Sequence, residues 1–312
     1  MLDDGRVVDL NAGYELVLRR KHGLVEDSAR RIAAAVVPAS MRSFLEGADI
    51  SREAARCVLD AIAQQAYVDA GEVVVPVETA QPLAPIPDPP LIRDFMAFEE
   101  HLLNIYPRLG REIPPTWYEM PVYYKGNPAS IGAAGDVIDL PSYADTLDFE
   151  FELAAVIGRP GTDISAEDAL DHVAGYMIYN DFSARDIQQR EMSVGLGPAK
   201  GKDFTKAHVF GPWLVTTDEV PDVYALAMRA EVNGRLWCES STSTMHWRFE
   251  DMIAHASRDE GLRVGEIFGS GTVGGGSGAE RGESLSPGDT VVLTVEHLGT
   301  LSNQVGKPAP AR

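Results

Sequence analysis

The chain has little cysteine, an excess of negative charge and no long apolar run. Of its 312 residues only Cys57 and Cys238 are cysteine, and they lie far apart without the spacing of a metal-binding motif. The 27 basic residues stand against 47 acidic ones, and the net charge of −20 disfavours a nucleic-acid or anionic-membrane partner. No segment approaches the roughly 18 apolar residues of a membrane span, so no span is expected.

The beginning of the sequence also lacks a targeting signal. Its first ten residues contain no basic region followed by an apolar run, so no secretory peptide is expected. Together with the scarcity of cysteine, this predicts a reduced, cytoplasmic protein. The composition, 45% hydrophobic and 24% charged, is ordinary for a globular chain that can hold one large core and a smaller module.

Prolines predict how the chain is divided. Five of them lie between Pro82 and Pro90, and a proline-dense stretch suits a semi-rigid linker. We therefore predict a small N-terminal α/β domain over residues 1–78, a linker over 79–90 and a catalytic domain over 91–312. In the third region short β segments are broken by Gly, Pro and Asp, with few helices. This texture predicts an α+β, predominantly β fold rather than a doubly wound sheet.

Three carboxylates alternate at Asp148, Glu150 and Glu152. If residues 147–153 form one strand, the three carboxylates share one face and leucine and phenylalanine side chains cover the other. Neighbours on that face are about 6.7 Å apart and repel by roughly 2.5 kcal/mol at an effective dielectric of about 20. Such a face is either solvated or occupied by a cation.

Two further acidic residues could join this face. Asp181 ends an apolar strand at residues 176–179, where functional residues are commonly placed. Asp94 lies seven residues before His101, about two helical turns, which would place both on one face of a helix. Carboxylates alone form a set of hard oxygen ligands that Mg²⁺, Mn²⁺ or Ca²⁺ prefer. A histidine such as His101 is, taken alone, more often a surface or core residue than a catalytic base.

Polar and cationic residues surround these acids in the sequence. Arg185 and Gln188 lie three residues apart in a predicted helix, so they share a face, and Lys202 follows in a loop rich in Gly and Pro. A further Gly-rich stretch, residues 268–283, has the spacing of a dinucleotide-binding turn but no helix-forming sequence after it, so dinucleotide binding is not expected. It is either a flexible surface loop or a backbone that approaches a ligand closely, with Thr272 and Glu280 as polar contacts.

Five motifs in the same order resemble the fumarylacetoacetate hydrolase family. They are a Glu-x-Glu strand, an Asn-Asp-aromatic-Ser-Ala-Arg-Asp segment, a lysine loop, a Ser-Gly-Thr turn and closing strands. In this sequence they read "LDFEFELAAVIG", "YNDFSARDIQQRE", "LGPAKGKDF", "GSGTVGG" and "GDTVVLTVEHLGTLSNQV". They cover the chain from about Asp94 to Val305. The resemblance implies a mixed β-sandwich roll with its site at one end, usually in a homodimer.

The resemblance also implies roles for single residues. The family's metal ligands correspond to Asp94, Glu150, Glu152 and Asp181. They would hold one divalent cation, expected to be Mg²⁺, with Mn²⁺ or Ca²⁺ as alternatives. His101 would be the general base, and Glu280 the acid that orients it. The remaining substrate, oxyanion or catalytic contacts correspond to Tyr124, Arg185, Gln188, Lys202 and Thr272. Asp148 lies outside the Glu-x-Glu pair, and we expect it at the solvent end of the strand.

The walls of the implied pocket depart from the family pattern. Met96 and Met192 stand where fumarylacetoacetases have substrate-contacting tyrosines, so the substrate is expected to differ from fumarylacetoacetate. The expected function is metal-dependent hydrolysis of a carbon–carbon bond in a β-diketo or acylpyruvate-like acid, with water activated by His101 and an enolate stabilised by the cation. The alternatives are a decarboxylase, hydratase or isomerase of a 2-oxo acid on the same scaffold, and a non-catalytic metal-binding protein.

Overall fold

The computed structural model describes residues 5–308 and has two compact units, Met1–Gln81 and Pro82–Arg312. The first unit is mainly helical. Its elements are β1 (Arg6–Val8), α1 (Leu10–Arg20), α2 (Glu26–Val36), α3 (Met41–Glu46), α4 (Ala48–Ala63), α5 (Ala70–Val73) and β2 (Val74–Pro76). The two strands pair antiparallel, and Val17 of α1 packs with Val58 of α4 in a small apolar core.

The second unit is rich in β-strands. Its first half contains β3 (Ile92–Phe95), α6 (Glu99–Ile105), β4 (Tyr123–Gly126), β5 (Ile131–Gly132), β6 (Val137–Ile138), β7 (Leu147–Asp148), β8 (Phe151–Ile157) and β9 (Val173–Asp181). Its second half contains β10 (Ser183–Ala184), α7 (Arg185–Met192), β11 (His208–Thr216), β12 (Ala227–Val232), β13 (Arg235–Ser241), α8 (Phe249–Ala256), β14 (Ile267–Gly269), β15 (Thr290–Val295) and β16 (Gly299–Val305).

Two mixed sheets form the body of this unit. The seven-stranded sheet has the order β4-β3-β14-β8-β9-β11-β5, and the five-stranded sheet has the order β13-β12-β15-β16-β6. Apolar side chains from both sheets belong to one buried core, for example Leu153 of β8 and Leu293 of β15. The expected α+β fold with a mixed β-sandwich roll is confirmed: helices and curled mixed sheets both contribute to the structure.

The period-two alternation of strands gives the seven-stranded sheet two different faces. Phe95, Phe151 and Ile178 belong to the core shared with the other sheet. Residues next to them in the sequence therefore point to the opposite face, which carries Asp94 of β3 and Glu152 of β8. Asp181, at the end of β9, lies on the same face as these two, so three strands deliver three carboxylates to one place.

The helix expected to carry both Asp94 and His101 is not present, and that prediction was wrong. Asp94 lies in β3, where it pairs with Tyr124 of β4, whereas His101 lies in α6, which begins only at Glu99. The two residues still reach one site because the chain turns between strand and helix. Of the helices in residues 5–308, none is long and apolar enough to cross a membrane.

Candidate active site

A cavity with a volume of about 660 Å³ collects most of the predicted site residues. It is lined by Asp94, His101, Tyr124, Glu150, Glu152, Arg185, Gln188, Lys202 and Thr272. Asp181 and Glu280 lie behind this lining, where each is hydrogen-bonded to a residue that lines it. Met96 and Met192 also face the cavity, so the two departures from the family pattern are in its wall.

Asp94, Glu152 and Asp181 form a buried carboxylate cluster. Each offers one oxygen atom, and these oxygens lie within 4.8 Å of one another. At that separation two carboxylates repel by about 3.5 kcal/mol for an effective dielectric of about 20. Lys202 donates to Asp181 but makes no hydrogen bond to the other two carboxylates. The cluster therefore holds more negative charge than its neighbours balance.

The pKa values of the cluster reflect this imbalance. Burial, reinforced by the neighbouring Asp181 charge, raises the pKa of Asp94 well above its ordinary value. Burial and the charges of Asp94 and Asp181 do the same to the pKa of Glu152. Burial also opposes ionisation of Asp181, but Lys202 and His208 outweigh it and lower the pKa of that carboxyl. Without a cation, Asp94 and Glu152 thus retain protons at pH values where exposed carboxyls are ionised.

A glycine in the neighbouring strand makes room for the cluster. Gly269 ends β14, between β3 and β8, and is paired with Asp94 and Ala154. A Cβ atom at this position would lie 2.5 Å from Asp94 Oδ1 and 2.9 Å from the Tyr179 ring. The next glycine, Gly271, has φ +78°, and its N–H donates to Glu152 Oε2 at 3.0 Å. The Gly-rich segment at 269–274 is buried, so it is not a flexible surface loop, the first of the two interpretations.

The residues of the cluster fit a hard divalent cation. Asp94 Oδ1 is buried and has no hydrogen-bond partner. Five buried carboxylates lie in this region, and two cationic side chains, Arg185 and Lys202, contact three of them, so three negative charges are unbalanced when all five are ionised. These carboxylates are Asp94, Asp148, Glu150, Glu152 and Asp181. An all-oxygen donor set of this charge is typical of Mg²⁺, Mn²⁺ or Ca²⁺ sites.

Glu150, predicted as a ligand together with Glu152, Asp181 and Asp94, lies in ion pairs beside the cluster. It contacts Arg185 Nη1 at 2.7 Å and accepts a hydrogen bond from Lys202. Burial would raise the pKa of Glu150, but the two cations lower it. The chain explains this placement, because Glu150 precedes β8 and forms an isolated bridge with Ser277. The acidic segment is therefore not one continuous strand, and its alternation ends before Phe151.

The expectation that Asp148 lies at the solvent end of the strand was wrong. The residue is 1% exposed and accepts hydrogen bonds from the N–H groups of Gly278 and Ala279 at 2.8 and 2.9 Å. It also accepts from Phe149 N and from Arg185 Nε, both at 2.8 Å. Asp148 thus connects the 278–279 turn to the arginine at the start of α7. Burial of an aspartate is tolerated here because every one of these partners is a donor.

A histidine–carboxylate pair faces the cavity from another side. His101 Nδ1 lies 2.8 Å from Glu280 Oε1, which leaves Nε2 for a molecule in the cavity. Glu280 also accepts from Asn104 Nδ2 and Gly275 N, both at 2.7 Å, and from Ser277 Oγ at 3.2 Å. Burial would raise the pKa of Glu280, but His101 and these donors lower it. The carboxylate stays ionised and holds the imidazole in one orientation.

The cationic and polar residues are held by their own contacts. Arg185 donates to Gln188 Oε1 at 3.0 Å, both from α7, which is the predicted helix. Tyr124 Oη donates to Asp181 Oδ2 at 2.6 Å. Burial, together with the Asp181 and Asp94 charges, raises the pKa of Tyr124 well above its ordinary value, so it remains a proton donor. Thr272 Oγ1 lies 3.5 Å from Glu152 Oε1.

Several supporting residues were not indicated by the sequence. Glu191, in the last turn of α7, accepts the N–H groups of residues 199–201 at 2.7 to 3.0 Å and so fixes the loop that precedes Lys202. Tyr179 and His208 lie behind Asp181, and Asn104 and Ser277 lie around Glu280. Tyr179, His208 and Asn104 act through contacts with distant parts of the chain, which no local pattern marks.

Residues 91–306 match the sequence profile of a known family, described as fumarylacetoacetate (FAA) hydrolase C-terminal. The chain belongs to the fumarylacetoacetate hydrolase family. The resemblance found in five motifs is thereby confirmed, and the profile covers the cavity and the carboxylate cluster together. Since this family of enzymes unites several reactions, membership by itself leaves the reaction open.

Known relatives of the chain include tautomerases and isomerases. The chain is 32% identical to oxaloacetate tautomerase fahd2, mitochondrial, from Xenopus laevis over 305 residues, which is 97% of this chain and 83% of the relative. It is 36% identical to oxaloacetate tautomerase YisK from Bacillus subtilis over 60% of this chain and 62% of YisK. The crystal structure of 5-carboxymethyl-2-hydroxymuconate delta-isomerase from Mycobacterium smegmatis matches with a TM-score of 0.62 at 31% identity, covering 75% of this chain and 83% of that one.

Proposed function

We propose that this protein is a divalent-cation-dependent isomerase that interconverts the keto and enol forms of a 2-oxo acid, with oxaloacetate as the first candidate substrate. The observation that carries the proposal is the placement of the His101–Glu280 pair and the carboxylate cluster around one cavity. The similarity to two oxaloacetate tautomerases, one over almost the whole chain, supports tautomerisation over the hydrolysis expected from the sequence.

Tautomerisation requires a base that reaches a carbon next to a carbonyl. His101 can serve, because Glu280 occupies Nδ1 and leaves Nε2 as the nitrogen that removes the proton. The ionised Glu280 then stabilises the imidazolium, which returns the proton to oxygen or carbon of the substrate. Histidine is the side chain that most often transfers protons in both directions near neutral pH.

The enolate that forms in this reaction carries negative charge that needs stabilisation. When bound at Asp94, Glu152 and Asp181, a divalent cation supplies Lewis-acid polarisation of a carbonyl group. Lys202 and Arg185 line the same cavity, and the pKa of each is raised because nearby carboxylates outweigh burial. Both stay cationic and can receive the carboxylate or the developing enolate of a 2-oxo acid. Tyr124 and Gln188 add hydrogen-bonding groups to the wall.

Hydrolysis of a carbon–carbon bond remains the second candidate, favoured by the same histidine. An imidazole held by a carboxylate can also deprotonate water, which would then attack a carbonyl group of an acylpyruvate. The two reactions differ in their products. Tautomerisation conserves the substrate's atoms and moves one proton, whereas hydrolysis adds water and releases two acids.

One assay separates the two reactions. Oxaloacetate prepared in its enol form is followed by ultraviolet absorbance, with Mg²⁺, Mn²⁺, Ca²⁺ or EDTA, and acylpyruvates are incubated in parallel and analysed for released pyruvate. The proposal predicts cation-dependent loss of the enol absorbance without cleavage products. Replacing His101 by Ala should slow this reaction by about 10²- to 10⁴-fold and leave cation affinity unchanged. Cleavage of acylpyruvates without any acceleration of tautomerisation would overturn it.

A further inference from the structure

Behind the carboxylate cluster lies a histidine that has no role in the proposed reaction. His208 is the first residue of β11 and is directly opposite Asp181 of β9 in the antiparallel pair. Side chains at such opposed positions are neighbours on one face of a sheet. His208 is 0% exposed, so a molecule in the cavity does not reach it, and Asp181 stands between the two.

Two oxygen atoms contact Nδ1 of the His208 ring. Tyr179 Oη forms a hydrogen bond with Nδ1 at 2.8 Å, and Asp181 Oδ1 lies 3.1 Å from the same nitrogen. The other oxygen of Asp181, Oδ2, accepts from Tyr124 and Lys202. Asp181 Oδ1 makes no hydrogen bond and has the ring nitrogen in ion-pair contact, so the imidazole is what faces that side of the carboxylate.

The contact with Asp181 decides which nitrogen carries the proton. A bare Nδ1 would place its lone pair beside a carboxylate oxygen 3.1 Å away, and the two electron-rich atoms would repel. A proton on Nδ1 instead gives the carboxylate a positive partner, and the Tyr179 hydroxyl can accept from the same N–H. Nε2, which is buried without a partner, is then an acceptor rather than an orphaned donor, the less costly arrangement.

The ring has little freedom to turn away from this arrangement. Gly126 of β4 packs against its far edge so closely that a Cβ there would lie 3.2 Å from both Cε1 and Nε2 of His208. On the near side the Tyr179 ring and the Asp181 carboxylate confine it. A side chain held in this way fixes the orientation of whatever it contacts.

We propose that His208 is a positioning residue for the cation site: the Nδ1–H edge of its ring, in ion-pair contact with Oδ1, holds the Asp181 carboxylate electrostatically in the orientation that completes the cluster with Asp94 and Glu152. His208 acts through Asp181 and touches neither substrate nor cation. The inference rests on the proposed cation site but not on the reaction, because it concerns cation affinity alone. Partners of this kind behind ligating carboxylates typically contribute about 10- to 100-fold in metal affinity or activity.

Two substitutions of nearly equal size test this role. His208→Asn keeps an N–H donor one bond from Cγ, where Nδ1 lies, whereas His208→Leu fills the same space without a donor. The dissociation constants of Mg²⁺ and Mn²⁺ are measured by titration calorimetry on the full chain without substrate. The Leu variant should bind about 10- to 100-fold more weakly, and the Asn variant should stay near wild type. His172→Leu is the control. It removes a histidine that is hydrogen-bonded to the Arg159 carbonyl, and it should leave the cation affinity unchanged.

Two results would overturn the proposal. One is equal cation affinity in the Leu and Asn variants, whether both are unchanged or both weakened, because a merely structural role does not distinguish them. The other comes from the wild-type protein, so it stands even if the Leu variant fails to fold. Nitrogen NMR of ¹⁵N-histidine-labelled protein, with the His208 signals assigned by their loss in the Asn variant, should show the Nδ1–H tautomer; the Nε2–H tautomer would refute it. Since neither measurement uses turnover, a failed tautomerase assay leaves this test intact.

Discussion

Replacing Lys202 by Met tests the electrostatics of the site most directly. The side chain is 1% exposed, and its ammonium pairs with Glu150 and Asp181. Methionine has a similar length and no charge, so the change leaves two buried carboxylates without that partner. Removing one member of a buried ion pair typically costs about 3–5 kcal/mol in the free energy of unfolding. For a domain of this size we expect the melting temperature to fall by about 6–20 °C.

The cost should depend on pH with a definite sign. Burial opposes ionisation of both carboxyls, but Lys202, with His208 or Arg185, lowers the pKa of Asp181 and of Glu150 below the ordinary values of 3.8 and 4.5. A carboxyl with a lowered folded-state pKa stabilises the fold above its unfolded pKa and loses that contribution as the pH falls. The stability difference between wild type and Lys202→Met should therefore be full above about pH 5 and shrink toward about pH 3.

The assay is urea unfolding with EDTA at a series of pH values, because a bound cation would replace part of the lost charge. Lys200→Met is the matched control: this lysine is exposed, its Nζ lies 4.8 Å from the centre of the Tyr143 ring, and we expect a change within about 0.5 kcal/mol. A Lys202→Met variant as stable as wild type, or a deficit that grows on acidification, would refute the reasoning.

Three further predictions concern the carboxylate cluster and the base. Gly269→Ala places a Cβ 2.5 Å from Asp94 Oδ1, so Mg²⁺ affinity measured by calorimetry should fall by about tenfold or more; unchanged affinity would contradict the packing described. Glu280→Gln removes the charge that orients His101, and kcat should fall by about 10²-fold while Mg²⁺ affinity is kept; equal loss of both would indicate a structural defect. Because burial and neighbouring carboxylates raise the pKa values of Asp94 and Glu152, the cation-free protein should lose thermal stability as the pH rises above about 4, and Mg²⁺ should restore it increasingly with pH. Melting curves with EDTA or Mg²⁺ measure this, and a protective effect of Mg²⁺ that is greatest at low pH would count against the site.

The sequence determined the family, the mixed fold class and nine of the polar and charged residues that line the cavity. These follow from local patterns, since the motifs are short and a carboxylate at the end of an apolar strand is visible in a few letters. Nine of the eleven proposed site residues line one cavity, and the other two, Asp181 and Glu280, are hydrogen-bonded to that lining.

Only the tertiary structure decided which partner each acidic residue contacts. Alternation assigned Asp148, Glu150 and Glu152 to one face, but alternation holds only while a strand is continuous, and here the strand ends at Asp148 and begins again at Phe151. Asp148 therefore meets Arg185, Glu150 meets Arg185 and Lys202, and Glu152 alone joins Asp94 and Asp181. Each of these partners lies at least 29 residues away in the chain, so no local pattern could select among them. The same holds for His208, which faces Asp181 only because β11 pairs with β9 in that register.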